Sequence, residues 1–279
     1  MKEIKRFIKN LDYPVHCIGC EGIDDSIKNP KHHPSYEITP KCNLNCIFCY
    51  SKVAELKGTL PKPGYYGDLE PKAITISQFG EPFVAGNRKV CDIINKLRDL
   101  FGDVRIDIQT NGTLVNFDMI EGKADIFMIS LDAGNKKGYY EITGSNLFDK
   151  VINTIKRASN SDCVSVVRTV FMPGINDTEL KTIAEIASEC DEFFLQPISI
   201  YKENTKLIKK LDIERAESIG EYIRTAYSLS EIANVKIPGC FLLNLKAVMK
   251  RFDFEDVMLL RRNAFGSMPK VIREWRFEL

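Results

Sequence analysis

Three of the nine cysteines lie close together, in the segment CNLNCIFC. Cys42, Cys46 and Cys49 have the spacing C-x3-C-x2-C. A closed zinc site takes four ligands and a disulfide takes two thiols, whereas an iron–sulfur cube held by three thiolates keeps one iron open to an external ligand. The spacing therefore favours a 4Fe–4S cluster with one open coordination position.

Structural zinc is the alternative interpretation of these cysteines. Cys17 and Cys20 form one C-x2-C pair and Cys46 and Cys49 form another, so four thiols together could hold a zinc ion. Such a site would leave Cys42 without a role. A zinc-stabilised binding or scaffold protein is accordingly the second functional hypothesis.

The composition is that of an ordinary globular protein. The chain has 279 residues, of which 44% are apolar and 28% charged, and a formal charge of +1, so charge alone predicts neither a nucleic-acid nor a membrane partner. We find no secretory signal and no apolar run of the roughly 20 residues that span a bilayer. We therefore expect a cytoplasmic protein, in which thiols stay reduced and clustered cysteines indicate metal binding.

Short β-rich runs alternate with amphipathic helical patterns, which predicts a parallel sheet covered by helices. About six strand–helix units suggest a barrel or an open doubly wound sheet. The predicted strands span residues 35–39, 73–79, 104–110, 124–133, 163–172, 192–200 and 234–238. The predicted helices span residues 87–101, 147–159, 178–190 and 213–232, the third capped by Asn176, Asp177 or Thr178.

Short polar motifs follow the predicted strands directly. The cysteine loop follows the first strand, Gly80–Pro82 the second and Asn111 the third, while Ser130 and Asp132 end the fourth. Because the carboxyl ends of parallel strands meet at one edge of a sheet, we expect these groups to form one shared site.

These motifs resemble those of the radical S-adenosylmethionine (radical SAM) enzymes. The cysteine segment is similar to that family's C-x3-C-x-aromatic-C motif, with Phe48 at the aromatic position. The segments SQFGEPF, QTNGTLV, ISLDAGNKKGYYEITG and FMPGIND resemble later family motifs, in the family's order, over residues 35 to 199. The resemblance implies a partial (β/α)6 TIM-like barrel, with an N-terminal cap or lid (1–34), a core (35–200) and a segment that completes the barrel and forms a helical C-terminal extension (201–279).

The resemblance also implies the chemistry. S-adenosylmethionine would bind the open iron of a 4Fe–4S cluster held by Cys42, Cys46 and Cys49, and an electron from a donor such as ferredoxin or flavodoxin would cleave it. The resulting 5′-deoxyadenosyl radical would abstract hydrogen from a substrate, either a small metabolite or cofactor precursor, a peptide or a tRNA. Activation of a glycyl-radical enzyme is the alternative within the same enzyme class.

The implied cofactor contacts come from successive strand ends. They are Phe48, Gly80, Glu81, Pro82, Asn111, Ser130, Asp132 and Arg168. Gly80, Glu81 and Pro82 would present backbone carbonyls to the cofactor ammonium, and the peptide around Phe48 would lie near the adenine.

Several of these residues also have structural interpretations. Glu81 could complement the N-terminus of the following helix, Phe48 could simply pack in the core, and Asn111 could belong to an Asn-Gly turn. Asp132 could cap a loop. Ser130 lies near the end of the same predicted strand.

Arg168 lies inside an apolar predicted strand, where an unpaired charge is costly, so it needs an anionic partner. The cofactor carboxylate is one candidate and Asp132 is the other. Gln196 is a weaker candidate contact on the sixth strand.

The remaining cysteines raise the question of a second metal site. Several radical SAM subfamilies carry an auxiliary cluster, and Cys17, Cys20 and Cys240 could assemble one here. Cys91, Cys163 and Cys190 lie in apolar patterns and are predicted to be small buried hydrophobes. Trp275, the single tryptophan, is predicted to pack the C-terminal tail onto the barrel.

Overall fold

The computed structural model describes all 279 residues. Nine strands form one sheet: β1 (Ser35–Glu37), β2 (Gly64–Tyr66), β3 (Ala73–Ile76), β4 (Arg105–Thr110), β5 (Ile126–Ser130), β6 (Val164–Phe171), β7 (Glu192–Pro197), β8 (Val235–Lys236) and β9 (Trp275–Phe277). The helices are α1 (Lys2–Asn10), α2 (Tyr50–Leu56), α3 (Asn87–Phe101), α4 (Phe117–Ile120), α5 (Lys136–Thr143), α6 (Phe148–Ser159), α7 (Leu180–Ala187), α8 (Thr205–Ile208), α9 (Ile213–Glu217), α10 (Ile219–Leu229), α11 (Gly239–Val248) and α12 (Phe254–Val257).

The sheet confirms the predicted α/β class. Its order is β8-β7-β6-β5-β4-β3-β1-β2-β9, and the pairs from β8 through β3 to β1 are all parallel. The sheet has two free edges, β8 and β9, which is consistent with a partial TIM-like barrel. Every residue of β3 is buried, as expected for a strand that side chains cover on both faces.

Two short strands were not anticipated from the sequence. β2 pairs antiparallel with β1, and β9 pairs antiparallel with β2. The predicted helical C-terminal extension is therefore only partly correct, because the chain after α12 runs extended into β9. Trp275 packs this tail onto residues 62 and 63, since its ring lies 3.3 Å from Lys62 Nζ and its Nε1 donates to the Pro63 carbonyl.

Two predictions about helices were wrong. α7 begins at Leu180, and its N-cap residue is Glu179, which makes no side-chain capping hydrogen bond. The predicted cap Asn176 is buried, and its amide donates to the carbonyls of Asp132 and Val170 instead. The predicted helix over 213–232 is broken at Ser218, whose hydroxyl accepts from Glu221 N and so starts α10 as a new helix.

The N-terminal segment closes the amino-terminal end of the barrel. Glu192, the first residue of β7, accepts hydrogen bonds from Val15 N. Arg105, the first residue of β4, donates to the carbonyls of His16 and Ile18. The predicted cap therefore lies at the end of the strands opposite to their carboxyl ends. None of the helices is long and apolar enough to cross a bilayer.

Candidate cofactor site and adjoining cavity

The cysteine loop connects β1 to α2 and is fastened to the last turn of α5. Asn45 N donates to the Thr143 carbonyl (2.8 Å) and Ile47 N to the Ile142 carbonyl (3.0 Å). The thiols are all free: Cys42 is exposed, whereas Cys46 and Cys49 are half-buried. The backbone is thus fixed between the cysteines, and no thiol is engaged in a disulfide.

The donor set suits an iron–sulfur cluster. Leu44 N donates to Cys42 Sγ (3.4 Å), and Asn111 Nδ2 approaches the same sulfur at 3.7 Å. Burial raises the pKa of the Cys42 and Cys46 thiols, so a bound metal must supply the positive charge that deprotonates them. The three thiols do not converge on one point as ligands of a single metal ion would, and a cube does not require this, because each thiolate binds a different iron.

The Gly80 segment crosses the cysteine loop at very short range. A Cβ atom at Gly80, where φ is +72°, would lie 2.2 Å from the Thr39 carbonyl oxygen and 2.8 Å from that of Lys41. The next residue binds the same loop, since Glu81 N donates to the Lys41 carbonyl (2.8 Å). Only glycine permits this approach, because any other residue would be both strained and overlapping.

The turn from β3 into this segment begins at Ser77, the only non-glycine residue with a positive φ (57°). Its backbone N–H donates to the Tyr36 carbonyl, and its hydroxyl accepts from Ile38 N. Side chains in this left-handed conformation are uncommon and persist where the surroundings enforce them. Here the first strand and the residue after it hold the turn.

The N–H groups of the Gly80 segment point into the protein. The Glu37 carboxylate accepts from Gln78 N (3.2 Å) and Phe79 N (3.0 Å), and Ser51 Oγ accepts from Gly80 N (3.3 Å). The carbonyl oxygens of Phe79 and Gly80 accept no backbone hydrogen bond. These two acceptors are therefore available to a ligand ammonium group.

The Glu81 side chain is a structural link rather than a helix-dipole partner. Its carboxylate accepts from Asn111 N (2.6 Å), Thr110 Oγ1 (2.7 Å) and Phe83 N (3.2 Å). The last bond caps the 3-10 turn Pro82–Ala85. Burial raises the pKa of Glu81 to about 7.

Arg168 has only neutral partners within the chain. Its guanidinium donates to Gln109 Oε1 (2.9 Å) and to Ser130 Oγ (3.2 Å), neither of which carries a charge. Asp132 accepts from Val170 N (2.8 Å) instead, and burial raises its pKa to about 6. The arrangement with Asp132 as the ion-pair partner of Arg168 is therefore absent, and the Arg168 charge is free to meet an anionic ligand.

Almost all sequence-predicted site residues line one cavity of about 110 Å³. The exceptions are Pro82, which is buried in the turn behind the wall, and Gln196, which lies outside this cavity. The cavity wall also includes residues that sequence analysis missed, among them Ser77, Gln109, Thr110 and Tyr139. Gln109 could have been found from the sequence, because it is a polar residue within an apolar strand. Tyr139 could not, because its segment was interpreted only as the loop that follows the fourth strand. Its buried hydroxyl has no hydrogen-bond partner.

A second cavity, of about 430 Å³, adjoins the first. Six residues line both cavities: Phe48, Tyr50, Gln78, Gln109, Arg168 and Val170. Further parts of its wall come from the N-terminal segment, the barrel strands including the predicted Gln196, residues 238–240 and the tail at residues 268–272. A molecule in the larger cavity would therefore face the smaller one directly.

The structure does not assemble the four-cysteine zinc site. Cys46 and Cys49 line the smaller cavity together with Cys42, whereas Cys17 and Cys20 line the larger one together with Cys240. The other three cysteines lie elsewhere, with Cys91 and Cys190 buried as predicted and Cys163 only half-buried.

Comparison with known proteins adds independent findings. A family model described as the Radical SAM superfamily matches residues 36–187. An uncharacterized protein of Methanocaldococcus jannaschii is 37% identical, over 98% of this chain and 95% of that protein. A probable GTP 3′,8-cyclase of Pyrococcus abyssi is 29% identical over 63% of this chain, and the alignment spans only 59% of the cyclase. A solved structure of TYW1 with a lysine-pyruvate adduct bound has a TM-score of 0.51 at 20% identity, over 84% of this chain and 82% of that one, which is a likeness of fold alone.

Proposed function

Because this chain belongs to the radical SAM superfamily, we propose that it cleaves S-adenosylmethionine reductively and uses the 5′-deoxyadenosyl radical to abstract hydrogen from a small anionic metabolite. As a radical SAM enzyme it has a 4Fe–4S cluster and S-adenosylmethionine as its cofactors. These cofactors would supply the radical chemistry: with one electron from a donor of the ferredoxin or flavodoxin class, the sulfonium C–S bond would break to give methionine, and hydrogen transfer from the substrate would give 5′-deoxyadenosine.

The cysteine loop would hold the cluster. Cys42, Cys46 and Cys49 are the three thiols that share the smaller cavity. The carbonyls of Phe79 and Gly80 would accept hydrogen bonds from the cofactor ammonium, because the N–H groups beside them are already bound to the protein. Phe48, which lines both cavities, would lie beside the adenine.

Arg168 would bind the cofactor carboxylate. Its partners in the chain are neutral, so a carboxylate ligand would be its first anionic contact. Ser130 and Gln109 would hold the guanidinium in position from two neighbouring strands. This unpaired charge at the junction of the two cavities is the observation that carries the assignment of the cofactor pose.

The larger cavity would hold the substrate. Its volume of about 430 Å³ falls within the range of small-molecule sites. Its single carboxylate, Asp107, already bonds Arg105 in two places, and its lining includes the cationic residues Arg168 and Lys270. An anionic metabolite suits this lining, and the relative named as a probable GTP 3′,8-cyclase, whose name includes a nucleoside triphosphate, supports the same class.

Formation of 5′-deoxyadenosine tests the first part of the proposal. Anaerobic, iron- and sulfide-reconstituted protein reduced with dithionite should produce it from S-adenosylmethionine. Cys42→Ala, Cys46→Ala and Cys49→Ala should each lower the rate at least 100-fold, whereas the control Cys163→Ala should retain it. Wild-type cleavage by Cys42→Ala would overturn the assignment.

Stimulation by metabolites tests the second part. Pools of small anionic metabolites should raise the rate of 5′-deoxyadenosine formation above the substrate-free rate. Lys270→Ala should reduce this stimulation and leave the substrate-free rate unchanged. Stimulation by neutral pools alone would overturn the anionic assignment while the cleavage chemistry stands.

A further inference from the structure

One buried hydroxyl in the wall of the smaller cavity has no hydrogen-bond partner. Tyr139, on α5, is 2% exposed, and its hydroxyl oxygen is buried without a partner in the chain. None of the other buried side-chain atoms without a partner belongs to this wall. A buried polar group left unpaired is costly and rare in native proteins. Because Tyr139 lines the cavity, a group bound there can supply the absent partner.

Packing and backbone hydrogen bonds fix the position of Tyr139. Its ring meets that of Phe148, at the start of α6, edge-on with the centroids 5.8 Å apart, and it belongs to the main apolar core. Its backbone N–H donates to the Asn135 carbonyl (2.9 Å), and its carbonyl accepts from Thr143 Oγ1 (2.7 Å). A ring held in this way loses little further conformational freedom when its hydroxyl binds a ligand. The hydroxyl is therefore a preorganised donor.

The same helix holds the cysteine loop next to Cys46. The backbone N–H groups on either side of Cys46 donate to carbonyls in the last turn of α5. Tyr139 lies one turn before Thr143 on the same face of α5, and both residues line the cavity together with Cys46. Burial raises the pKa of the Tyr139 hydroxyl, and the nearby Cys46 and Asp132 raise it further. The hydroxyl therefore stays protonated, as a hydrogen-bond donor must.

A cluster held by Cys46 would bring acceptors to this wall. Tyr139 and the Cys46 thiol face one cavity but form no hydrogen bond with each other. The sulfide and thiolate sulfur atoms of a 4Fe–4S cluster carry negative charge and accept hydrogen bonds, and the cluster has no donor of its own. The unpaired donor of Tyr139 thus matches the chemistry of the group that this cavity is suited to hold.

We propose that the Tyr139 hydroxyl donates a hydrogen bond to a sulfur atom of the cluster beside Cys46, and so raises the reduction potential of the cluster. Hydrogen bonds to the sulfur atoms are among the factors that set this potential. The reduced cluster carries one more negative charge and is the better acceptor, so the bond favours reduction. The inference rests on the cluster of the proposed function and does not depend on the identity of the substrate.

Potentiometric titration of the reconstituted protein without S-adenosylmethionine tests the inference and needs no activity assay. Tyr139→Phe removes only the hydroxyl. At a fixed solution potential, its ratio of reduced to oxidised cluster should be about tenfold lower than that of wild type, which is a shift of about 59 mV to lower potential. Tyr140→Phe is the matched control, because the adjacent tyrosine is 54% exposed, and it should leave the ratio unchanged.

Two further measurements separate a direct hydrogen bond from a loss of structure. Cluster-free Tyr139→Phe should unfold at the temperature of cluster-free wild type or above it, because the hydroxyl it lacks has no partner in the chain. Electron–nuclear double resonance of the reduced wild-type cluster should show coupling to an exchangeable proton. This coupling should be absent from Tyr139→Phe and present in Tyr140→Phe.

Equal potentials in wild type and Tyr139→Phe, or a proton coupling that Tyr139→Phe retains, would overturn the inference. Either result leaves the cluster and the proposed function in place. Reconstituted wild-type protein that binds no cluster at all would contradict the proposed function together with this inference, so the two failures are distinguishable.

Discussion

The Glu81 carboxylate accepts a hydrogen bond from the Asn111 backbone N–H across 2.6 Å, and so joins the segment after β3 to the end of β4. Glu81 N is in turn bound to the cysteine loop through the Lys41 carbonyl. Asn111 reaches the same loop from the other side, because its Nδ2 donates to Asn43 Oδ1 (3.0 Å). The geometry of the cysteine loop therefore depends on this buried carboxylate.

Replacement of Glu81 by Gln should destabilise the protein in a pH-dependent way. The NH2 group of the new glutamine would face the backbone or hydroxyl donors that now bind the carboxylate, and this mismatch lowers the unfolding free energy by about 1–3 kcal/mol. Glu81 has its pKa raised from 4.5 to about 7, so its contribution to stability is full below pH 4.5 and is lost as pH rises through 7. The loss corresponds to about 3 kcal/mol. The difference in unfolding free energy between wild type and Glu81→Gln should therefore shrink from pH 5 to pH 8.

Denaturant unfolding followed by circular dichroism under nitrogen measures this difference. Glu55→Gln, on the exposed surface of α2, serves as a control that should show little difference at either pH. A Glu81→Gln difference that is constant, or that grows with pH, would contradict the buried-carboxyl account.

Gly80→Ala should disrupt the cysteine loop. The new Cβ would overlap the Thr39 carbonyl oxygen and occupy a left-handed backbone position, so we expect a loss of at least about 3 kcal/mol. Gly58→Ala is the matched control, because Gly58 has φ +66° and open space around it, and should cost only about 1–2 kcal/mol. Iron content after reconstitution should fall for Gly80→Ala and not for Gly58→Ala; equal behaviour of the two variants would refute the close-approach explanation.

Most predicted site residues line one cavity because they follow apolar strands in order, and parallel topology brings the strand ends together. The sequence was less informative about elements whose bounds depend on tertiary contacts. The break at Ser218, for example, lies inside a continuous helical pattern, where an isolated bridge to Arg261 competes with the helix. The strand at Trp275 forms only because β2 offers it a free edge.

The role of individual side chains was equally hard to foresee. The Glu81 side chain was considered as a helix-dipole partner, yet its three hydrogen bonds come from the backbone of Phe83 and Asn111 and from Thr110 Oγ1. Such a role depends on the order of the strands in the sheet, which a single sequence does not reveal.

Arg168→Gln should weaken binding of S-adenosylmethionine. Loss of a charged hydrogen bond to a carboxylate costs about 1.5–3 kcal/mol, so the dissociation constant should rise about tenfold to 100-fold. Arg157→Gln provides a control, because Arg157 pairs with Asp118 on the exposed surface. Equilibrium dialysis with labelled cofactor under anaerobic conditions gives the affinities, and an unchanged affinity for Arg168→Gln would remove Arg168 from the cofactor site.

Gln109→Glu should have opposite effects on stability and on cofactor affinity. The new carboxylate would face the Arg168 guanidinium, where Gln109 Oε1 now accepts at 2.9 Å, and would neutralise it from within the chain. We expect the cofactor-free protein to gain about 1 kcal/mol while its affinity for S-adenosylmethionine falls at least fivefold. Thermal unfolding and dialysis measure the two quantities; tighter cofactor binding would show that the Arg168 charge does not meet an anionic ligand.

The response of the reduced cluster to S-adenosylmethionine tests the central claim most directly. Electron paramagnetic resonance of the dithionite-reduced, reconstituted protein should show a signal from a 4Fe–4S cluster. Addition of S-adenosylmethionine should change the shape of that signal, and 5′-deoxyadenosine should form as the sample warms. A cluster signal that saturating S-adenosylmethionine leaves unaltered, with no 5′-deoxyadenosine, would contradict the claim that three cysteines reserve one iron for the cofactor.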